Sequence, residues 1–65
     1  MSKKYEALLN DQKFVIKEDE PDVGWYLYVY KNGEIIKDHL QDNLESVKKQ
    51  AEEDYSVPES LWKEI

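Results

Sequence analysis

The sequence predicts an α+β fold in which an antiparallel three- or four-stranded meander carries one C-terminal helix packed on one face. Three observations lead to this prediction. Residues 24–30 form an aromatic, β-branched run that ends at Asn32-Gly33, the strongest short-range signal for a β-hairpin. Residues 13–18 alternate apolar and polar side chains as a strand does. Residues 44–55 carry apolar side chains at helical spacing.

The length and composition predict one small domain that spans residues 1–65. At this size only about 60% of the surface of the unfolded chain can be buried, so we expect modest stability. The chain has no cysteine, which excludes both disulfides and thiolate metal sites. We find no cofactor-binding motif, and we predict no cofactor.

The net charge of the chain limits the kinds of partner that it can bind. Fifteen acidic residues against nine basic ones, all of them lysines, give a net charge of −6. Nucleic-acid binding is disfavoured because phosphate contacts use clustered basic residues and base readout uses arginine. An anionic membrane surface is disfavoured for the same reason. No apolar run is long enough for a signal peptide or a membrane span, so we expect a cytoplasmic protein.

The N-terminal segment has two interpretations. Residues 3–9 place apolar side chains on one side either as a short helix or as a strand. A hairpin that turns at residues 10–11 would set Ala7 opposite Phe14 and give a continuous apolar face. This favours the strand and the order β-β-β-β-α, with α-β-β-β-α as the alternative. After the second strand, Pro21 and Gly24 predict a turn.

The acidic side chains of residues 18–22 offer oxygen ligands of the kind that Ca²⁺ binds. Their spacing lacks the pattern of an EF-hand loop, and a solvated loop is the prediction. We predict no metal site here.

The hairpin at Asn32-Gly33 allows its register to be predicted. A two-residue turn sets Lys31 opposite Glu34, a favourable charge pair, and Tyr30 opposite Ile35. Side chains alternate across a strand, so an uninterrupted register defines two faces. The predicted core face carries Trp25, Leu27, Val29, Ile36 and Leu40. The other face carries Tyr26, Tyr28, Tyr30, Ile35, Lys37 and His39.

Asp38 does not suit this register, because it falls on the core face opposite Leu27. We expect the strand to fray or bulge before Asp38, or Asp38 to lie at a rim. A buried functional carboxylate is the alternative. The single histidine, His39, has no second histidine or cysteine with which to bind a metal, and no evident nucleophile to activate.

The C-terminal helix is predicted from its cap and its apolar stripe. Asp42 and Glu45 fit the N-cap and N3 positions of a capping box. The stripe that faces the sheet comprises Leu44, Val47, Ala51 and Tyr55. Glu52, Glu53 and Asp54 occupy the last turns, where the helix dipole disfavours anions. This acidic cluster is therefore a candidate contact for a basic partner.

Beyond the helix, Pro58 predicts the helix end, and Ser56 with Glu59 predicts a short helical turn that follows it. We expect Trp62 to fold back onto the edge of the core. An exposed anchor for a partner is the alternative reading of this tryptophan.

The ending DNLESVKKQAEEDYSVPESLW, residues 42–62, and the hairpin before it resemble a type of small, uncharacterised bacterial protein. The resemblance covers roughly the last two thirds of the chain. It implies a hairpin followed by an amphipathic helix and a bacterial source. It implies no activity and no functional residues.

These observations favour a small acidic, non-enzymatic module that binds another protein, of which an inhibitor or immunity-like partner of a basic protein is the most concrete form. The alternative is a structural protein that forms homodimers. An enzyme is the least favoured reading, because no catalytic constellation is present. The candidate protein-binding surface comprises Tyr26, Tyr28, Tyr30, Ile35, His39, Glu52, Glu53 and Asp54.

Overall fold

The computed structural model describes residues 3–18 and 24–65. Its elements are strands β1 (Lys4–Leu9), β2 (Gln12–Glu18), β3 (Trp25–Lys31) and β4 (Glu34–Gln41), helix α1 (Leu44–Tyr55), a 3₁₀-helix (Glu59–Leu61) and strand β5 (Lys63–Glu64). One antiparallel sheet has the order β4-β3-β2-β1-β5. The predicted α+β class is confirmed, with a four-stranded meander and a C-terminal helix. The two-residue strand β5 was not predicted.

The first hairpin follows the predicted register throughout. Residues 10–11 form the turn, with Asn10 in the left-handed region at φ 57°. Ala7 lies opposite Phe14, and Tyr5 lies opposite Ile16. Residues 3–9 therefore contribute a strand, and the helical alternative is wrong.

The second hairpin follows the predicted register only near its turn. Lys31 pairs with Glu34 and Tyr30 with Ile35, but the next pair joins Val29 to Lys37. Ile36 is therefore the extra residue of a β-bulge. The predicted pairing beyond this point is wrong by one residue, and every later side chain of β4 points to the opposite face from the one predicted.

The bulge resolves the position of Asp38, which lies opposite Tyr28, away from the core. It also corrects four other placements. Ile36 was predicted in the core but is 45% exposed, and Lys37 was predicted on the tyrosine side but lies opposite Val29. Leu40 was predicted in the core but is exposed on the tyrosine side, opposite Tyr26. His39 was predicted on the tyrosine side but lies opposite Leu27, on the side that α1 covers.

The core lies between one face of the sheet, the core face, and the helix. Alternate residues of the first three strands point into it and are almost completely buried: Ala7, Phe14, Ile16, Leu27 and Val29. Val47, Ala51 and Val57 meet them from α1 and the segment that follows it. The predicted stripe of α1 is confirmed, with Leu44 and Tyr55 packed at the margin of the core.

The N-terminus of α1 lies one residue later than predicted. The Asn43 side chain, rather than that of Asp42, caps the helix by accepting a 2.8 Å hydrogen bond from the Ser46 backbone N–H. The predicted capping box of Asp42 and Glu45 is therefore wrong. Asn43, in the extended conformation, accepts from the Ser46 N–H of the first turn, as Asp42 was predicted to do for its own first turn.

The C-terminus of α1 redirects the chain to the other edge of the sheet. Ser56 adopts a left-handed conformation (φ 60°), and its N–H donates to the Glu52 carbonyl. Pro58 then precedes the 3₁₀-helix without a side-chain cap, so the predicted cap by Ser56 and Glu59 is wrong. Trp62 packs against the core, as predicted. Strand β5 then pairs with β1, opposite the β4 edge.

The predicted turn at Pro21 and most of the acidic loop fall within residues 19–23, outside the described residues. Within residues 3–18 and 24–65, no helix has the length and apolar character needed to cross a membrane.

Candidate functional site

The face of the sheet opposite α1, hereafter the open face, has two chemically different halves. Strands β3 and β4 form the tyrosine half. Its side chains follow from the observed register and are Tyr26, Tyr28, Tyr30, Ile35, Asp38 and Leu40. Strands β1 and β2 form the lysine half, together with the segment 63–65 that pairs with β1. Its side chains are Lys4, Glu6, Leu8, Lys13, Lys17, Lys63 and Ile65. Val15 lies between the halves, opposite Tyr28.

The tyrosine half presents a partly ordered aromatic and aliphatic surface. The rings of Tyr26 and Tyr28 stack at a centroid distance of 5.6 Å and an interplanar angle of 19°. Ile35 and Leu40 flank the tyrosine row from β4 and keep 53% and 49% of their surface exposed. Apolar surface of this kind is available for contact with another molecule.

The lysine half carries one salt bridge and one repulsive pair. Lys13 Nζ lies 3.2 Å from Glu6 Oε2. Lys4 and Lys17 are both exposed and lie directly opposite each other on β1 and β2. Like charges in directly opposed positions destabilise a sheet.

A shallow groove of about 410 Å³ runs across both halves of the open face. Its floor includes Val15, which is only 8% exposed, and Tyr28. Lys17, Ile35 and Ile65 contribute to its walls. The groove therefore combines apolar side chains with three lysines and one acid, Glu6.

His39 belongs to a polar network between β4 and α1, and not to the open face. Its Nε2 lies 2.7 Å from the Tyr55 hydroxyl, and its Nδ1 lies 3.1 Å from Gln50 Nε2. Gln41 Nε2 donates to Gln50 Oε1 at 2.8 Å. These contacts connect the edge strand β4 to the helix.

The network assigns the protons of the His39 ring. Gln50 Nε2 also donates to an Asp54 carboxylate oxygen at 3.4 Å, which identifies this atom as the amide nitrogen. It donates to His39 Nδ1, so a neutral imidazole carries its proton on Nε2 and donates it to the Tyr55 oxygen. With both ring nitrogens engaged, His39 serves as a structural connector in this conformation.

Tyr55 is the residue with a perturbed acidity in this network. Burial raises the pKa of its phenol above the ordinary value, and the neighbouring Asp54 carboxylate raises the pKa further. The Tyr55 ring also packs against Phe14, with ring centroids 5.5 Å apart. The phenol is therefore neutral at physiological pH, and its oxygen is hydrogen-bonded to His39 at the margin of the core.

The sequence-predicted surface is divided by the fold. Tyr26, Tyr28, Tyr30 and Ile35 lie together on the open face, as the alternation predicted. His39 lies on the opposite side of the sheet. Glu52, Glu53 and Asp54 are exposed on α1, which covers that opposite side. The acidic cluster and the tyrosines therefore cannot form one continuous surface.

Sequence reasoning missed three exposed side chains that the open face includes: Leu8, Leu40 and Ile65. The signal for Leu40 was present, because a bulge before Asp38 moves Leu40 to the tyrosine side. Ile65 had no such signal, because its position depends on the pairing of β5 with β1.

Comparison of the chain with protein-family models, with curated proteins and with solved structures finds no match. The resemblance to small bacterial proteins stays a prediction. In the part of the chain that the structure describes, no cluster of three or more His, Asp or Glu side chains has a geometry that could hold a metal ion.

Proposed function

We propose that this protein is a small, non-enzymatic binding module that contacts another protein through the open face of its sheet. The observation that carries the proposal is the location of its exposed apolar side chains. The described residues include five large hydrophobic side chains that are strongly exposed, and four of them lie on the open face: Leu8, Ile35, Leu40 and Ile65. They lie at the margins of the face, around Val15 and the tyrosines, and exposed apolar side chains that adjoin tyrosines are typical of interaction sites.

The tyrosines of the open face strengthen the proposal. Tyr26, Tyr28 and Tyr30 combine a large apolar ring with a polar hydroxyl, and tyrosine is enriched at protein interfaces. The rings of Tyr26 and Tyr28 are already stacked on each other in the unbound chain. A surface that is already ordered loses less side-chain entropy on binding.

The size of the open face sets the expected affinity. Strands about 4.8 Å apart and residues about 3.3 Å apart give the face an area of roughly 500 Å². A standard interface buries about 800 Å² on each partner. The open face alone therefore suits a transient complex, and a tighter complex would extend over a sheet edge. We take the cytoplasm as the compartment in which such a complex would form.

The test is a cross-linking capture with a double variant of two exposed side chains, Ile35→Ser and Leu40→Ser. Both side chains are about half exposed, so the variant should remain folded, which circular dichroism would check. We expect capture of specific partners from a lysate of the native host to be lost.

The matched control changes two exposed residues on the other side of the sheet, Glu52→Ser and Glu53→Ser, and should leave capture unchanged. Equal capture by the wild type and the Ile35→Ser/Leu40→Ser variant would refute the proposal. Sedimentation of the wild type would show whether a captured partner is a second copy of the chain.

A further inference from the structure

We infer that the partner surface recognised by the open face is acidic: a protein segment that combines carboxylates with apolar side chains. This inference rests on the proposed function and specifies the chemistry of the partner. It departs from the expectation of a basic partner, which the acidity of the whole chain suggested.

Charge is distributed unevenly over the molecule. The whole chain carries −6, yet the described open face carries four lysines and two acids: Lys4, Lys13, Lys17, Lys63, Glu6 and Asp38. The exposed acids of α1 belong to the helix that covers the other side of the sheet. The net charge of the chain thus has the opposite sign to that of the candidate binding surface.

The internal ion pairs leave most of this positive charge uncompensated. Glu6 is bound to Lys13, and within residues 3–18 and 24–65 theirs is the only salt bridge. Asp38 lies on β4, three strands away from Lys4 on β1. Lys4 and Lys17 consequently have no carboxylate partner among the described residues.

The packing of the core holds Lys4 and Lys17 together. In the register of β1 and β2, the pair Lys4–Lys17 lies next to the pair Tyr5–Ile16, and Ile16 is fully buried. Relief of the repulsion by a one-residue slip would expose that core pair, so the two lysines stay opposed. An anion placed over them would gain energy from both charges at once.

The groove next to these lysines explains why the partner should also be apolar. Val15, Tyr28 and Ile35 line it beside Lys17. A partner segment that alternates acidic and apolar residues would place its carboxylates over the lysines and its apolar side chains in the groove. Such complementarity gives specificity and a fast association rate.

Two other occupants fit the same surface less well. A second copy of the chain that docked symmetrically, open face to open face, would bring equal positive charge against the first. A single-stranded nucleic acid would meet the tyrosines and lysines, but the chain has no arginine and its remaining surface is acidic. An acidic protein segment satisfies the charge and the apolar groove together.

The test is selection of peptides from a random display library on the immobilised 65-residue chain. We expect enriched peptides to carry a net negative charge together with apolar residues. Their affinity, measured by titration, should fall at least about fivefold in a Lys17→Glu variant, because an attraction becomes a repulsion. This variant should keep its fold, since Lys4 would then face a carboxylate across the strands.

The matched control is Lys49→Glu, which makes the same change in net charge on the exposed surface of α1. We expect it to change the affinity by less than about twofold. Equal losses in the two variants would overturn the inference, because they would show a response to net charge alone.

Other outcomes separate this inference from the proposed function. Enrichment of basic or neutral peptides whose binding is lost in the Ile35→Ser/Leu40→Ser variant would overturn the acidic partner and leave the binding module standing. Peptides that bind this variant as well as the wild type, or no enrichment at all, would overturn both. Tighter binding of oligothymidylate than of any peptide would overturn the inference in favour of a single-stranded nucleic acid. A dimer that Leu40→Ser abolishes would overturn it in favour of a second copy of the chain.

Discussion

The two faces of this sheet come from the same strands but differ in what covers them. On β3, Leu27 and Val29 are completely buried beneath α1, whereas Tyr26 and Tyr28 alternate with them on the open face and are only partly buried. Ile35 is as apolar as Ile16, yet Ile35 is half exposed and Ile16 is fully buried. Coverage by α1 therefore buries the apolar residues of the core face completely, whereas on the open face Val15 is buried by its neighbours and Ile35 remains available for contact.

The largest expected effect comes from truncating an isoleucine on each face. Ile16→Ala should lower the free energy of unfolding by about 2 to 5 kcal/mol, because it leaves a cavity in the core. Ile35→Ala should lower it by less than about 0.5 kcal/mol, because the side chain is already half exposed. Urea denaturation of both variants measures the difference. Similar losses of unfolding free energy in the two variants would show that Ile35 is also buried in solution, beneath another part of the chain or a second molecule.

The second prediction concerns Gly24, which immediately precedes β3 and lies close to the Gln41 backbone at the end of β4. A Cβ added at Gly24 would lie 2.5 Å from the Gln41 carbonyl oxygen, and φ is +130° there. Gly24→Ala should therefore cost about 2 to 4 kcal/mol of stability. Gly33→Ala meets no atom within 4 Å and is strained only by its φ of +80°, so it should cost about 1 kcal/mol.

Thermal unfolding of the two glycine variants separates these costs. Gly24→Ala should also weaken peptide binding to the open face, because it disturbs the position of β4. Equal costs in the two variants would mean that the close approach of Gly24 to Gln41 relaxes readily.

The smallest expected effect is a pH dependence of the free energy of unfolding, which arises from Tyr55 on the side of the sheet that α1 covers. Burial and Asp54 raise the pKa of the Tyr55 phenol above its ordinary value of about 10. Below that value the phenol is neutral in both the folded and the unfolded chain, and its contribution to stability is fully present. As the pH rises further, the unfolded chain ionises first, and the contribution is lost as the pH passes through the raised pKa of the folded state.

Denaturation at a series of pH values above neutrality tests this expectation. The free energy of unfolding of the wild type should fall more steeply above about pH 10 than that of Tyr55→Phe, which cannot ionise. Parallel curves would show that Tyr55 ionises equally well in the folded state.

The first hairpin shows how much local sequence rules can predict. The turn at residues 10–11 and the alternation of Phe14 and Ile16 were sufficient for the whole register, because no residue interrupts the period of two. The same rules placed Tyr26, Tyr28 and Tyr30 together on one face, and helical spacing placed Val47 and Ala51 in the core.

The second hairpin shows where those rules fail. Ile35 and Ile36 are chemically alike, so the sequence does not indicate that one of them is an extra residue of a bulge. The misfit of Asp38 indicated a disruption but did not locate it. With the bulge at Ile36, His39 moves to the helix side, where its two ring nitrogens contact Tyr55 and Gln50.

The sequence by itself thus determined the hairpins, the helix and the alternation that separates tyrosines from core residues, because these depend on residues close together in the chain. The tertiary structure decided the register of β4, the position of β5 and the separation of the lysines of the open face from the acids of α1. These depend on contacts between distant segments, such as the hydrogen bond from Gln41 to Gln50 and the pairing of Lys63 with Glu6. Local patterns in a sequence do not encode which distant segments will meet.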